Sequence, residues 1–186
     1  MTNLSTDEEF EASGVRAQEL TRANRLDEAE QLIRTIPDAS RFEGWFHEKI
    51  LALIQLAVKL GAKSDRKRAL ALLVEAEASS ETLREGSTWE PADCLTRIGE
   101  ALAALGPHEE AVAVFAKAGS LAAERQENDI DCAKILVRIT EDLAAIGSWD
   151  EATLIAERIR PKHLRDKAVN NVRNRRRGAS GGGVPD

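Results

Sequence analysis

Apolar residues along this chain return at three- and four-residue intervals and never in strict alternation. In "LDEAEQLIRTI" the apolar positions Leu26, Ala29, Ile33 and Ile36 fall on one side of a 3.6-residue helix. A half-buried strand would alternate with period two, and no turn signal such as Asn-Gly joins two apolar runs. The breaks between periodic segments hold Pro37, Pro91, Pro107 and Pro161, where a missing N–H costs little. Gly61, Gly106 and Gly147 each close an apolar segment, where positive φ past a helix end is expected. "TDEE" and "SWDE" set Thr6 with Glu9 and Ser148 with Glu151 in capping-box register, which predicts helix starts there. Together these signals predict an all-α fold of nine helices, over 7–23, 26–36, 40–60, 64–82, 89–105, 107–124, 129–146, 149–160 and 163–176.

The helices repeat as pairs. "ANRLDEAEQLI", "LGAKSDRKRALALL", "LGPHEEAVAVF" and "IGSWDEATLIA" each join one helix to the next. The first alanine after each turn is Ala29, Ala69, Ala111 or Ala152, at separations of 40, 42 and 41 residues. Four residues on stand Ile33, Leu73, Phe115 and Ala156, and seven on stand Ile36, Ala76, Ala118 and Ile159. Nine residues before the alanine stand Leu20, Leu102 and Leu143. In the second repeat "KSD" reads as about three extra turn residues, which makes Ala57 the equivalent. A helix pair with one apolar face cannot bury it alone, so each pair must stack on the next.

"LGPHEEAVAVFAKA", with Gly106, Ala111, Phe115 and Ala118, resembles the second half of a tetratricopeptide repeat, and "CLTRIGEAL" supplies Leu95, Gly99 and Leu102 of the first half. The likeness spans about residues 7–176, with Ile54 and Thr140 standing for Gly99 in repeats two and four. The period near 41 resembles the longer variants of bacterial regulatory proteins. The resemblance implies a right-handed α-solenoid of about four helix-turn-helix units plus a C-terminal capping helix. In domain terms, a disordered 1–6 precedes one repeat domain over 7–176 and a flexible Gly-rich tail over 177–186.

Candidate chemistry is sparse. His47, His108 and His163 fall in different units, and "HEKI" and "HEEA" lack the second histidine a zinc helix needs. Cys94 and Cys132 are too few and too far apart for a disulfide framework, and they read as small core residues. "GASGGGVP" is a flexible tail rather than a phosphate cradle. Trp45, Trp89 and Trp149 read as packing residues, with one available as a partner anchor. No catalytic residue, metal or cofactor is nominated, so a non-enzymatic module is expected. The acidic start "MTNLSTDEEFEASG" lacks a secretory layout, no apolar run is long enough for a membrane helix, and a cytoplasmic location is expected.

The resemblance also places a partner. Tetratricopeptide arrays line their concave face with the first helix of each unit. Carried over, one inner row is Glu11, Glu48, Asp93 and Lys134. A second is Gln18, Gln55, Glu100 and Glu141, with Arg97 and Arg138 beside it. Those rows lean acidic, which implies a protein or peptide partner carrying Lys or Arg. Charge offers an alternative. The formal net charge is -6, yet residues 158–186 hold nine Lys/Arg against Asp166 and Asp186, a net of +7. The basic patch Arg165, Lys167, Arg173, Arg175, Arg176 and Arg177 could bind nucleic acid or an acidic partner. The acidic remainder argues against wrapping a phosphate backbone along the whole array.

Overall fold

The computed structural model describes residues 6–37, 44–83, 89–126 and 129–180. Among them the chain forms nine helices and no strand: α1 (Thr6–Arg22), α2 (Leu26–Arg34), α3 (Gly44–Ala62), α4 (Arg66–Thr82), α5 (Glu90–Leu105), α6 (His108–Arg125), α7 (Ile130–Ala145), α8 (Trp149–Glu157) and α9 (Lys162–Ser180). Helix α8 stops short of the predicted 160 and α9 begins one residue after Pro161. Helix α9 also runs to Ser180, past the predicted end at 176. The run Arg175–Arg177 favours helix, and cations suit the negative end of its dipole. Of the expected disordered start, Thr6 instead begins α1 and residues 1–5 lie outside the described residues; of the expected tail, 177–180 instead continue α9 and 181–186 lie outside them.

Substantial packing joins each helix only to the next and the next but one. Thus α1, α3, α5, α7 and α9 lie side by side as a series of first helices, and each of the first four pairs with the second helix that follows it. The apolar faces merge into one core. Ala29, Ala69, Ala111 and Ala152 are fully buried, as are Ile33, Phe115 and Ala156, with Leu73 nearly so.

The turns inside the pairs explain the period. Asn24, Ser64, Gly106 and Gly147 all have positive φ, of 64°, 68°, 101° and 84°. Their separations, 40, 42 and 41, match those of the alanines. Arg25, Asp65 and Ser148 then each donate their N–H to the carbonyl of the residue five back, Leu20, Leu60 and Leu143. This is the Schellman closure of a helix end. Pro107 has no N–H, and there Gly106 donates to Leu102 instead.

These bonds correct two assignments. Gly61 does not end its helix, since it lies inside α3, where an added Cβ would sit 2.1 Å from Leu105 Cδ2. Ser64 takes the left-handed position. Repeat two therefore has no extra turn residues, and Leu60 rather than Ala57 is the partner of Leu20, Leu102 and Leu143. The small position opposite the large one is then Ala17, Ala57, Gly99 and Thr140, so Ala57 replaces Ile54. At Gly99 an added Cβ would lie 2.7 Å from the Phe115 ring. The sizes compensate. The smallest residue of the first set faces the largest of the second, and Thr140 is matched by Ala156.

The capping box at Ser148 does not form, for Ser148 makes no side-chain cap bond. Its N–H is already used in the turn closure. Asp65 and Asp129 cap instead, accepting from the backbone of Arg68 and Asp131. The side chains of Thr6 and Trp45 lie outside the described residues. Trp149 packs partly buried against the core.

Candidate functional site

The predicted inner rows lie on the series of first helices, so they can be followed bond by bond. Gln18 is buried on α1 and donates to Glu48 on α3 at 2.5 Å, while Gln55 donates to Gln18 Oε1 at 2.9 Å. One seam onward, Asp93 sits in the first turn of α5 with 5% exposure. It accepts Arg97 Nε at 2.6 Å and Arg138 from α7 at 2.9 Å. Arg138 also bonds Glu100. Burial works against the Arg138 charge, but its bonds to Glu100 and Asp93 outweigh this and hold its pKa above the ordinary value.

Three predicted residues stand outside these networks. Glu11 is exposed, Lys134 pairs with Asp131 on its own helix at 2.7 Å, and Glu141 contributes its backbone carbonyl to Arg175 at 3.4 Å. The carboxyl that faces Glu100 is Asp142, which the sequence reading passed over. Burial, followed by the nearby Glu100 charge and a bond to it, pushes Asp142 up to about 7. Its Oδ2 is buried without a hydrogen-bond partner among the described residues. The signal was available: Asp142 is four residues from Arg138, on the same helix face.

The corrected register moves unit two as well. Counted from Ala69, the equivalents of Asp93 and Glu100 are Leu51 and Val58, three residues beyond Glu48 and Gln55. Leu51 is half-buried, and Val58 is 45% exposed. Together with Ile54, Gln55, Arg97 and Glu100 they line a groove of about 190 Å³ between α3 and α5. An apolar strip thus lies beside a paired carboxylate and guanidinium. A second groove, about 380 Å³, runs between α4 and α6 past Leu70, Leu73, Val74 and Val114, with Val74 67% exposed.

Among the remaining candidates, His47, Trp89 and Cys94 lie together. His47 meets Trp89 edge to face at 6.3 Å between ring centroids, and its Nδ1 lies 3.5 Å from Cys94 Sγ. Burial pushes the Cys94 thiol well above its ordinary range, which keeps it protonated and unreactive. No group of three or more His, Cys, Asp or Glu suited to a metal occurs among the described residues. No described helix is long and apolar enough to cross a membrane.

In the basic patch, Arg176 pairs with Asp150 at 2.9 Å, Arg165 lies 3.9 Å from Asp166, and Arg173 reaches Asn170 at 3.5 Å. Lys167 and Arg177 are exposed on α9. Compared with protein-family models, with curated proteins and with solved structures, the chain matches none.

Proposed function

We propose that this chain is a non-enzymatic interaction module, a right-handed solenoid of four tetratricopeptide-like units closed by α9, which binds a segment of a partner protein along its first helices. The single observation that carries this reading is the groove between α3 and α5, where exposed Val58 and half-buried Leu51 border Arg97 and Glu100. An apolar side chain leaving water for that strip gains roughly 1.5–3 kcal/mol when fully covered. Glu100, 39% exposed and shared with Arg138, is the carboxylate that meets a neighbouring Lys or Arg, and it sets orientation more than affinity. The partner is therefore an amphipathic segment with an aliphatic anchor and a cation about one helical turn away.

Selection from a displayed library of random peptides tests this directly. Enriched sequences are expected to combine Leu, Ile, Val or Met with Lys or Arg. Their affinity is expected to fall about tenfold or more with Val58→Asp, a loss of about 1.4 kcal/mol, and by less with Glu100→Lys. Binders indifferent to both substitutions, or no enrichment at all, would remove the groove from consideration.

A further inference from the structure

We propose that copies of this chain join end to end, the outward face of α1 in one copy seating on the outward face of α9 in the next. Within the molecule α3, α5 and α7 each have a first helix on both sides, whereas α1 and α9 have one on a single side. The seams between first helices are bridged by polar side chains. Gln18 bonds Glu48, Arg138 bonds Asp93 and Glu100, and Arg175 reaches the Glu141 carbonyl. An α1 laid beside α9 repeats that arrangement once more.

The two end faces are matched in charge. The side of α1 turned away from buried Ala17, Leu20 and Thr21 carries Glu8, Glu11 and Glu19 around Ala12 and Val15, with Arg16, paired to Glu19 at 2.6 Å, and Arg22 at its edges, all exposed, so that carboxylates outnumber guanidiniums by one. The side of α9 turned away from buried Ala168 and Val172 carries Lys167, Arg173 and Arg177 beside Asn170 and a single carboxylate, Asp166, all exposed. The helix dipole does not account for this distribution. It favours anions in the first turn and cations in the last, yet Glu19 is in the last turn of α1 and Lys167 in the second turn of α9. In the balance of charges α1 is net acidic and α9 net basic on these sides.

The acidic body argues for a second copy over nucleic acid, since a long phosphate backbone would pass beside it. Arg175 and Arg176 are moreover engaged on Glu141 and Asp150. The two faces differ, so the contact is head to tail, and it adds copies into a ring if the rotation closes or into a filament if it does not. Exposed ion pairs are individually weak and are screened over about 8 Å at physiological salt, so the association is weak and salt-sensitive.

Sedimentation velocity over a protein concentration series, at about 20 mM and about 500 mM NaCl, reads the result. At low salt the weight-average mass is expected to climb with concentration above 20.3 kDa without levelling at a dimer, and to return to that value at high salt. Two neutralised variants, Glu11→Gln with Glu19→Gln and Arg173→Gln with Arg177→Gln, are each expected to stay monomeric. All four positions are exposed, and circular dichroism verifies that both variants keep their helix content. An equimolar mixture of the two retains one intact face of each kind and is expected to stop at a dimer. A wild-type chain that stays monomeric at low salt overturns the proposal. Variants that associate like the wild type, or a mixture that forms no dimer while the wild type associates, do so equally. A fluorescent DNA duplex of about 20 base pairs is titrated in parallel. Binding lost in the arginine variant, with no rise in mass, would assign the basic end to phosphate instead. Peptide selection on the α3–α5 groove is unaffected by either result.

Discussion

At the scale of single residues, the most consequential side chain is Asp142. Folding holds its carboxyl protonated up to about pH 7, because burial and Glu100 disfavour its charge. In the unfolded chain the same carboxyl ionises near pH 4. Between those two values the folded state binds the extra proton, so the stability this group contributes falls as pH rises from about 4 to about 7. Asp142→Asn removes the charge and keeps the shape. Denaturant midpoints are expected to show a flatter pH profile over that window and a gain of roughly 1 kcal/mol at pH 8, after a discount for partial solvation and for the coupling to Glu100. An unchanged slope would mean that another group titrates there. Asp93 is buried between two guanidinium groups. Asp93→Ala leaves half-buried Arg138 with Glu100 alone and is expected to cost about 2 kcal/mol, read in the same denaturation assay.

At the scale of elements, the turns carry the clearest expectations. Asn24 and Ser64 occupy left-handed positions that the other two units give to glycine. A Cβ there costs on the order of 1 kcal/mol. Ser64→Gly is therefore expected to be neutral to slightly stabilising despite the added chain entropy, and Gly147→Ala to destabilise by about 1 kcal/mol. Thermal melts of the pair test whether the left-handed turn, and not the identity of its residue, is what repeats.

The turns also show what could be read in advance. All nine helices and the 41-residue period follow from apolar spacing and from Pro and Gly at the breaks, because both are local. The register of unit two did not follow. Gly61 looks like a helix end, and nothing local announces that Ser64 will take positive φ. That choice is made by the five-back bond from Asp65 to Leu60 and by the close approach of Gly61 to Leu105. A shift of three residues is almost one helical turn, so it left the face correct and the residues on it wrong. Glu48 and Gln55 were named where Leu51 and Val58 stand. The tetratricopeptide resemblance put Asp93, Arg97, Glu100 and Arg138 on the first helices, in two rows, but did not reveal their ion pairs with one another. The cluster's third carboxyl, Asp142, does not follow from the spacing because Glu141 and Asp142 are adjacent, and only the geometry of α7 against α5 decides between them.

At the scale of the whole molecule, contacts run between neighbours in sequence, so stability is expected to be graded along the chain. Second helices are tied at the same spacing by exposed bonds. Arg68 reaches Asp27 and Glu30, Arg34 reaches Glu75, and Lys117 reaches Glu77. Each such pair adds little by itself. Truncation after Ile159 removes α9 and uncovers the sides of α7 and α8 that it packs against. Hydrogen exchange is expected to show lost protection in α7 and α8 with α1–α4 unchanged. Uniform loss across the chain would indicate one cooperative block instead.

The complementary volumes of Gly99 with Phe115 and of Thr140 with Ala156 carry a consequence for modularity. Although the hairpins share one blueprint, each is keyed internally, like a lock cut for its own bolt. Transplanting α6 onto α7 would drive a phenyl ring against a threonine methyl, while α8 set on α5 would leave a void. Shuffling or duplicating these hairpins therefore requires moving both helices together.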